Sequence, residues 1–288
     1  MHDGANARPA VLNPEQIATQ VAAALHEDVG SGDVTARLVP AAQSARGTVV
    51  TREETVLCGR AWAVETFRQL DAAIQLKWHA DDGERLRAGQ VVFEMEGAAR
   101  PLLTGERTAL NFLQLLSATA TETRRYVDAV AGTGCTILDT RKTLPGLRLA
   151  QKYAVRCGGA RNHRLGLYDM VLIKENHIAT AGSVSTAVAA ARSSAPEIRI
   201  EIEVESLAEF DEALAAAPDI VMLDDFTLAD MRTAVQRAKG KSVQLEASGG
   251  VNLQTVREIA ATGVDYISVG ALTKNIRAID LSLRLEFA

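Results

Sequence analysis

Residues 140–167 read TRKTLPGLRLAQKYAVRCGGARNHRLGL, with seven lysines and arginines, one histidine and no carboxylate. The whole chain has a formal net charge of −5, so this run is a local excess of positive charge that answers to a local anion. Arg141 and Lys142 directly follow the β-type run TILDT and so stand, with Thr140, at a strand end. Arg148, Lys152 and Arg156 recur every four residues and line one helix face, where like charges cost a few tenths of a kcal/mol per pair. That face has three open readings: solvated, ligand-binding, or set against an acidic surface of a partner subunit. GGARNHRLGL is a turn-rich loop presenting Arg161, His163 and Arg164 together. Alone, His163 reads as structural; beside Arg164 it reads as a binding residue. A guanidinium grips a carboxylate through paired N–H donors, whereas an ammonium meets phosphate as a compact charge. The mixture suits one ligand bearing carboxylates and another bearing phosphates.

Acids and glycines supply the complement. Glu201, Glu203 and Glu205 share one face of an alternating strand, with Ile200, Ile202 and Val204 on the other. Acids pointing into a protein interior are expensive unless they meet cations, a metal or sugar hydroxyls. Glu203 and Asp224, on successive strands, reach the same volume and suit hydroxyl groups, Mg²⁺ or a developing positive charge. A solvated acidic strand is the competing reading, and it applies more readily to Glu201 and Glu205. In ASGGVN, Ser248, Gly249 and Gly250 lie between a strand end and a helix start, and Gly270 follows the next strand. Free N–H groups and close backbone approach make such turns phosphate sites, against the plainer reading of a tight connection.

The elements that must position these residues repeat. β-type runs at 136–140, 170–174, 198–205, 220–225, 243–250 and 266–270 alternate with helical segments at 183–194, 206–217, 227–238 and 252–262, with Ser206, Thr227 and Asn252 as N-caps. Such alternation implies parallel strands. The polar residues fall at successive strand C-termini, which converge in a ring but spread along a line in an open doubly wound sheet; a β/α barrel is therefore expected, incomplete or atypical because only six clear strands are present. Residues 1–117 read as a small N-terminal α+β sheet domain, 118–277 as the barrel, and 278–288 as a strand returning to the first domain. Cys58, Cys135 and Cys157 form no metal or disulfide spacing and read as reduced and structural. The N-terminus MHDGANARPA has neither a signal core nor a transit pattern, and no apolar run suits a membrane helix; a cytoplasmic protein is expected. Net acidity disfavours a nucleic-acid binder. No Ser/His/Asp order, HExxH, GxGxxG or Walker sequence is present.

EDVGSGDVT (27–35), GERTALNFLQLLS (105–117), the block 138–178, EIEVES, VMLDDF and EASGGV together resemble the quinolinate phosphoribosyltransferase family, from about residue 14 onward. The resemblance implies an α/β sandwich followed by an open seven-stranded β/α barrel, working as a homodimer or an assembly of dimers. It implies that quinolinate and phosphoribosyl pyrophosphate become nicotinate mononucleotide, pyrophosphate and CO₂. Arg141, His163 and Arg164 would then hold the quinolinate carboxylates, with Arg107 donated by the partner subunit. Lys142 and Lys174 would meet the pyrophosphate or the reacting carboxylate; Glu203 and Asp224 would face the ribose hydroxyls and Mg²⁺, directly or through water; Ser248, Gly249, Gly250 and Gly270 would take the 5′-phosphate. Lys152 and Arg156 become supporting or interface charges. Three rivals remain: a transferase for nicotinate itself, a barrel that binds without turnover, and a nucleic-acid module.

Overall fold

A computed structural model describes residues 13–287. The segment MHDGANARPA and Ala288, part of the expected returning strand, lie outside the described residues. The chain forms two units, one running up to Arg124 and including Leu144–Gly159 and the chain from Asn275 onward, the other comprising Arg125–Thr143 and Ala160–Lys274. The sequence reading cuts at 117 and runs the barrel unbroken to 277; the units divide later and assign 144–159 to the first.

In the first unit, Asn13 caps α1 (Pro14–Val29) by accepting the Glu15 N–H, and Ile17, Val21 and Leu25 form its buried stripe. β1 (Ser44–Thr51) alternates exposed with buried positions and lies between β5 (Val91–Ala98) and β12 (Leu281–Phe287), both antiparallel to it. β3 (Gln75–Trp78) completes the sheet order β12-β1-β5-β3. The short strands β2 (Thr55–Val56) and β4 (Arg85–Leu86) pair separately. Strand β2 is tied to α3 (Ala99–Ala129) by side chains: Thr121 Oγ1 accepts the Val56 N–H at 2.8 Å, and Ser117 Oγ accepts the Cys58 N–H at 2.9 Å. α2 (Arg60–Leu70) packs so closely on α3 that a Cβ at Gly105 would lie 2.7 Å from Leu70 Cδ1.

α4 (Arg148–Cys157) belongs to this unit because Ala150 and Ala154 join the core of Trp62, Phe112 and Leu116. A Cβ at Gly158 would stand 2.7 Å from the Ala120 carbonyl. This packing overturns the solvated reading of the basic helix face: Lys152 is 1% exposed, and Arg148 and Arg156 are half-buried. Cys58 and Cys157, distant in sequence, come together beside Asp82 as free thiols. The Asp82 carboxylate accepts from the Gly59 and Arg60 N–H groups and from the Tyr153 hydroxyl.

The second unit is a six-stranded parallel sheet in the order β6 (Thr136–Leu138), β11 (Tyr266–Ser268), β10 (Gln244–Ser248), β9 (Ile220–Asp224), β8 (Ile200–Val204), β7 (Val171–Ile173). β6 and β7 do not pair with each other, so the barrel is open. In place of a seventh strand there is one parallel bridge, Leu138 to Arg161. α6 (Val184–Ser194), α7 (Leu207–Ala216) and α8 (Leu228–Ala238) are capped by Ser183, Ser206 and Thr227, whose hydroxyls accept the Thr186, Glu209 and Asp230 N–H groups. α5 (Glu175–Ala181), unforeseen in the sequence, starts at the end of β7. The helix expected at 252–262 shrinks to α9 (Val256–Ala260), Asn252 instead capping the preceding turn by accepting from Gln254 and Thr255. α10 (Ala271–Lys274) is a single turn.

Gly47 tests the first sheet. A Cβ there would lie 2.7 Å from Met95 Cε and 2.9 Å from Leu285 Cδ2. Gly47→Val should destabilise the protein by about 1–3 kcal/mol through overpacking, read as a lower Tm in thermal unfolding.

Candidate active site

The C-terminal ends of the parallel strands meet at one cavity of about 180 Å³. Its wall takes Thr140, Arg141 and Lys142 from beyond β6, His163 and Arg164 from the following loop, Lys174 after β7, Glu203 on β8, Met222 on β9, Glu246 and Ser248 on β10, and Ser268 on β11. Convergence of six strands on one volume is what a curved sheet achieves and a flat one does not.

Each base is held by its backbone. Thr140 Oγ1 accepts the Lys142 N–H at 3.0 Å, and the Lys142 carbonyl accepts the Thr273 hydroxyl at 2.8 Å. Lys174 is the N-cap of α5, where its N–H donates to His177 Nδ1 at 3.0 Å, and its ammonium pairs with Glu203. The loop carrying His163 and Arg164 is pinned by Asp139, 0% exposed, whose carboxylate accepts from Asn162 Nδ2 at 2.6 Å and from the His163 N–H at 2.8 Å. Asp169 closes the loop beyond by accepting the Leu165 and Gly166 N–H groups.

The electrostatics favour an anion. Arg164 titrates below the usual arginine range, first because it is partly buried and then because Arg141 repels it. Arg141 Nε is buried with no acceptor. A buried guanidinium N–H without a partner forfeits roughly 1–3 kcal/mol until an acceptor arrives. Two guanidiniums facing one cavity, one with an idle donor, form a receptor for carboxylate oxygens.

Beneath them lies an acidic floor. Glu201 and Glu246 are both 0% exposed, and His163 Nε2 lies 2.8 Å from Glu201 and 3.6 Å from Glu246. Burial pushes Glu201 up to about 7 and, with Glu201 beside it, Glu246 to about 8. Glu246 lies against Glu201, which raises it further, and Ser268, which lowers it. This corrects the solvated reading of Glu201, while Glu205, just beyond the end of the strand, is exposed.

The structure thus gathers Thr140, Arg141, Lys142, His163, Arg164, Lys174, Glu203 and Ser248 around one volume. Asp224 does not line the cavity; it is half-buried, one step outward on the face of Met222, in register with Ser248. Gly249 and Gly250 form the turn beyond β10 at φ 95° and 56°, and a Cβ at Gly249 would collide with the Asp225 carboxylate and lie 2.9 Å from its backbone nitrogen. Gly270 makes room for its neighbours, since a Cβ there would be 3.1 Å from Lys142 Cδ. Arg161, grouped with His163 and Arg164 in the sequence, is exposed, and its backbone forms the bridge to Leu138. Arg107 is exposed on α3 in the other unit. Asp139 and Glu246 are absent from the sequence-level set, although Glu246 shares the period-two face of Ser248. For Mg²⁺, Glu203 and Asp224 offer carboxylates at the ends of adjacent strands, a donor set that fits an ion taking one or two carboxylates and completing its shell with phosphate and water.

Residues 33–117 match the family described as quinolinate phosphoribosyl transferase, N-terminal domain, and residues 119–284 the C-terminal domain of the same family. Nicotinate-nucleotide pyrophosphorylase [carboxylating] of Mycobacterium leprae is 46% identical over 268 residues, covering 91% of this chain and 94% of that protein. The probable enzyme of the same name in Bacillus subtilis is 41% identical, covering 89% of each. The structure of nicotinate-nucleotide pyrophosphorylase from Francisella tularensis superposes with a TM-score of 0.93 at 47% identity, over 96% of this chain and 98% of that one.

The acidic floor predicts a pH signature. Glu246 keeps its proton in the folded state up to about pH 8, whereas the unfolded chain releases it near 4.5. Folding therefore loses stability as pH rises through that window and levels off above it. Glu246→Gln removes this dependence, so its Tm relative to wild type should climb between pH 5 and pH 8.5 in thermal unfolding without ligands.

Proposed function

The chain belongs to the quinolinate phosphoribosyltransferase family, and from that premise we propose how its cavity joins the two substrates. The protein is a phosphoribosyltransferase that converts quinolinate and phosphoribosyl pyrophosphate to nicotinate mononucleotide, pyrophosphate and CO₂ in NAD synthesis. The observation that carries the assignment of roles is the idle, buried Arg141 Nε beside Arg164.

Arg141 and Arg164 hold the two carboxylates of quinolinate, with His163 beneath them and Thr140 fixing the turn that aims Arg141. Lys142 and Lys174 face the pyrophosphate, and Lys174 exchanges part of its pairing with Glu203 for that anion. As pyrophosphate departs, C1 of the ribose gains oxocarbenium character, and Glu203 and Asp224 stabilise it while receiving the ribose hydroxyls. The same two carboxylates would hold Mg²⁺, directly or through water. When bound, that ion neutralises charge on the leaving pyrophosphate. Ser248 and the backbone of Gly249, Gly250 and Gly270 receive the 5′-phosphate, supported by positive-φ glycines that permit close approach. After N-ribosylation the ring nitrogen is cationic and accepts the electrons released as the adjacent carboxylate leaves as CO₂. The protein then needs only to orient and desolvate the ring.

The enzyme works as a homodimer in which the partner donates Arg107. The exposure of this arginine on α3 and its absence from the cavity wall support that reading. It acts in the cytoplasm, a reading supported by Cys58 and Cys157 lying together as free thiols, a state suited to a reducing compartment. No helix among the described residues is long and apolar enough to cross a membrane.

Transfer to nicotinate is the rival reaction. Two guanidiniums exceed what one carboxylate requires, so the purified protein should release CO₂ and pyrophosphate from quinolinate, with Mg²⁺ raising the rate. Mononucleotide formed from nicotinate without CO₂ release from quinolinate would reverse the choice. Arg141→Ala should raise the KM for quinolinate by about 10- to 100-fold, the worth of one to two charge-assisted hydrogen bonds, with Tm nearly unchanged.

A further inference from the structure

The loop that carries Arg164 has a second anchor besides Asp139, and nothing in the reaction as described uses it. His163 Nδ1 accepts the Arg164 N–H at 2.9 Å. A ring nitrogen that accepts a backbone N–H carries no proton, so the hydrogen-bond network assigns the imidazole proton to Nε2. That nitrogen lies 2.8 Å from Glu201 Oε2 and donates to it. Both ring nitrogens are therefore engaged by the protein. Glu246 is 3.6 Å from Nε2, outside hydrogen-bond reach, which leaves Glu201 as the carboxylate that sets the ring.

We propose that Glu201 is a positioning residue for dicarboxylate recognition, holding the His163 imidazole and, through its Nδ1, the backbone from which Arg164 reaches the cavity. The inference rests on the functional reading above and extends it to a residue that need not touch substrate. Glu201 suits the task because it is fixed on β8, fully buried, with Ile200 and Ile202 packed on either side of it in sequence. The Arg164 guanidinium itself makes one long contact, 3.5 Å to the Met170 carbonyl, and is otherwise drawn by the charges of Glu201 and Asp169. With His163 clamped by Asp139 at its backbone and Glu201 at its ring, the arginine starts from a point held both from β8 and from the residue that follows β6. The same three side chains, His163, Glu201 and Glu246, also lie close enough to ligate a metal ion. The hydrogen bonds argue for positioning instead, because the imidazole would have to surrender the Arg164 N–H or the Glu201 oxygen to become a ligand.

The test is steady-state kinetics with each substrate varied separately, together with calorimetric titration of quinolinate, on wild type, Glu201→Gln and Glu201→Leu. Glutamine keeps an acceptor oxygen for Nε2–H, so its KM for quinolinate should stay within about threefold of wild type, while leucine, which lacks one, should raise it about tenfold or more. The KM for phosphoribosyl pyrophosphate should move less than about twofold in either variant, the arginine having no part in holding it. A folded leucine variant with an unchanged quinolinate KM would overturn the proposal. So would equal shifts in both KM values or a loss of Tm alone, the mark of a merely structural residue. If the leucine variant does not fold, Glu201→Asp carries the same test by withdrawing the acceptor one methylene: a raised quinolinate KM supports the proposal and an unchanged one overturns it. Stoichiometric metal found by elemental analysis in purified wild type and lost in Glu246→Gln would also overturn it. Wild type that binds quinolinate without turnover sinks the functional reading alone, and the titrated affinities still decide the role of Glu201. Wild type that does not bind quinolinate defeats both.

Discussion

Four basic side chains must face one small cavity before any anion is there to separate them. Two unit charges about 4 Å apart repel by roughly 4 kcal/mol at the effective dielectric of a protein surface, more than many packed side chains contribute. The second unit meets this constraint by placing acids on strands and bases on loops. Asp139, Glu201, Glu203 and Glu246 occupy or directly follow sheet positions, where the backbone ladder fixes them. Arg141, Lys142, Arg164 and Lys174 follow strand ends or ride the loop after β6, held there by local hydrogen bonds to the backbone. Burial leaves Glu201 titrating at about 7 and Glu246 at about 8, so the floor offsets only part of the positive charge above it and the remainder answers to an incoming anion.

This division of labour explains what the sequence could reveal. Strand ends were legible because period-two runs stop at polar residues, so Lys174, Glu203 and Ser248 were found without a structure. Hydroxyl caps at Ser206 and Thr227 were equally plain, since each chemical signal acts within one turn. Long-range burial was not legible. Nothing within Arg148–Arg156 announces that Lys152 is inside the protein; this follows from Ala150 and Ala154 meeting Trp62, Phe112 and Leu116, residues well separated along the chain. Residues 144–159 show the same limit, since they lie within the barrel in sequence and pack with the first unit. Glu246 shares the inward face of Ser248 by its spacing, but its burial beside Glu201 depends on the neighbouring strands and has no local signal. Asp139 lay one residue from the site and was read only as the strand preceding it.

The first unit is ordered by a different device, glycines placed where elements nearly touch. Gly47 lets β1 run beneath Met95 and Leu285, and Gly105 lets α3 close on α2. Neither position needs an unusual backbone conformation. Both exchange the intrinsic preference of an alanine for closer packing, a trade worth about 1 kcal/mol within a helix. A reading of GERT as chemistry alone overlooks that its glycine is architectural while its arginine is exposed.

Strand β12 sets a timetable for synthesis. Thr51 pairs with Leu281 and Ala45 with Phe287, so one edge of β1 has no partner until the second unit has been translated. Through that interval the nascent chain exposes a row of unpaired N–H and C=O groups beside apolar side chains, the kind of edge on which other strands assemble. Completion of the first sheet therefore waits on β12, which follows every strand of the second unit along the chain.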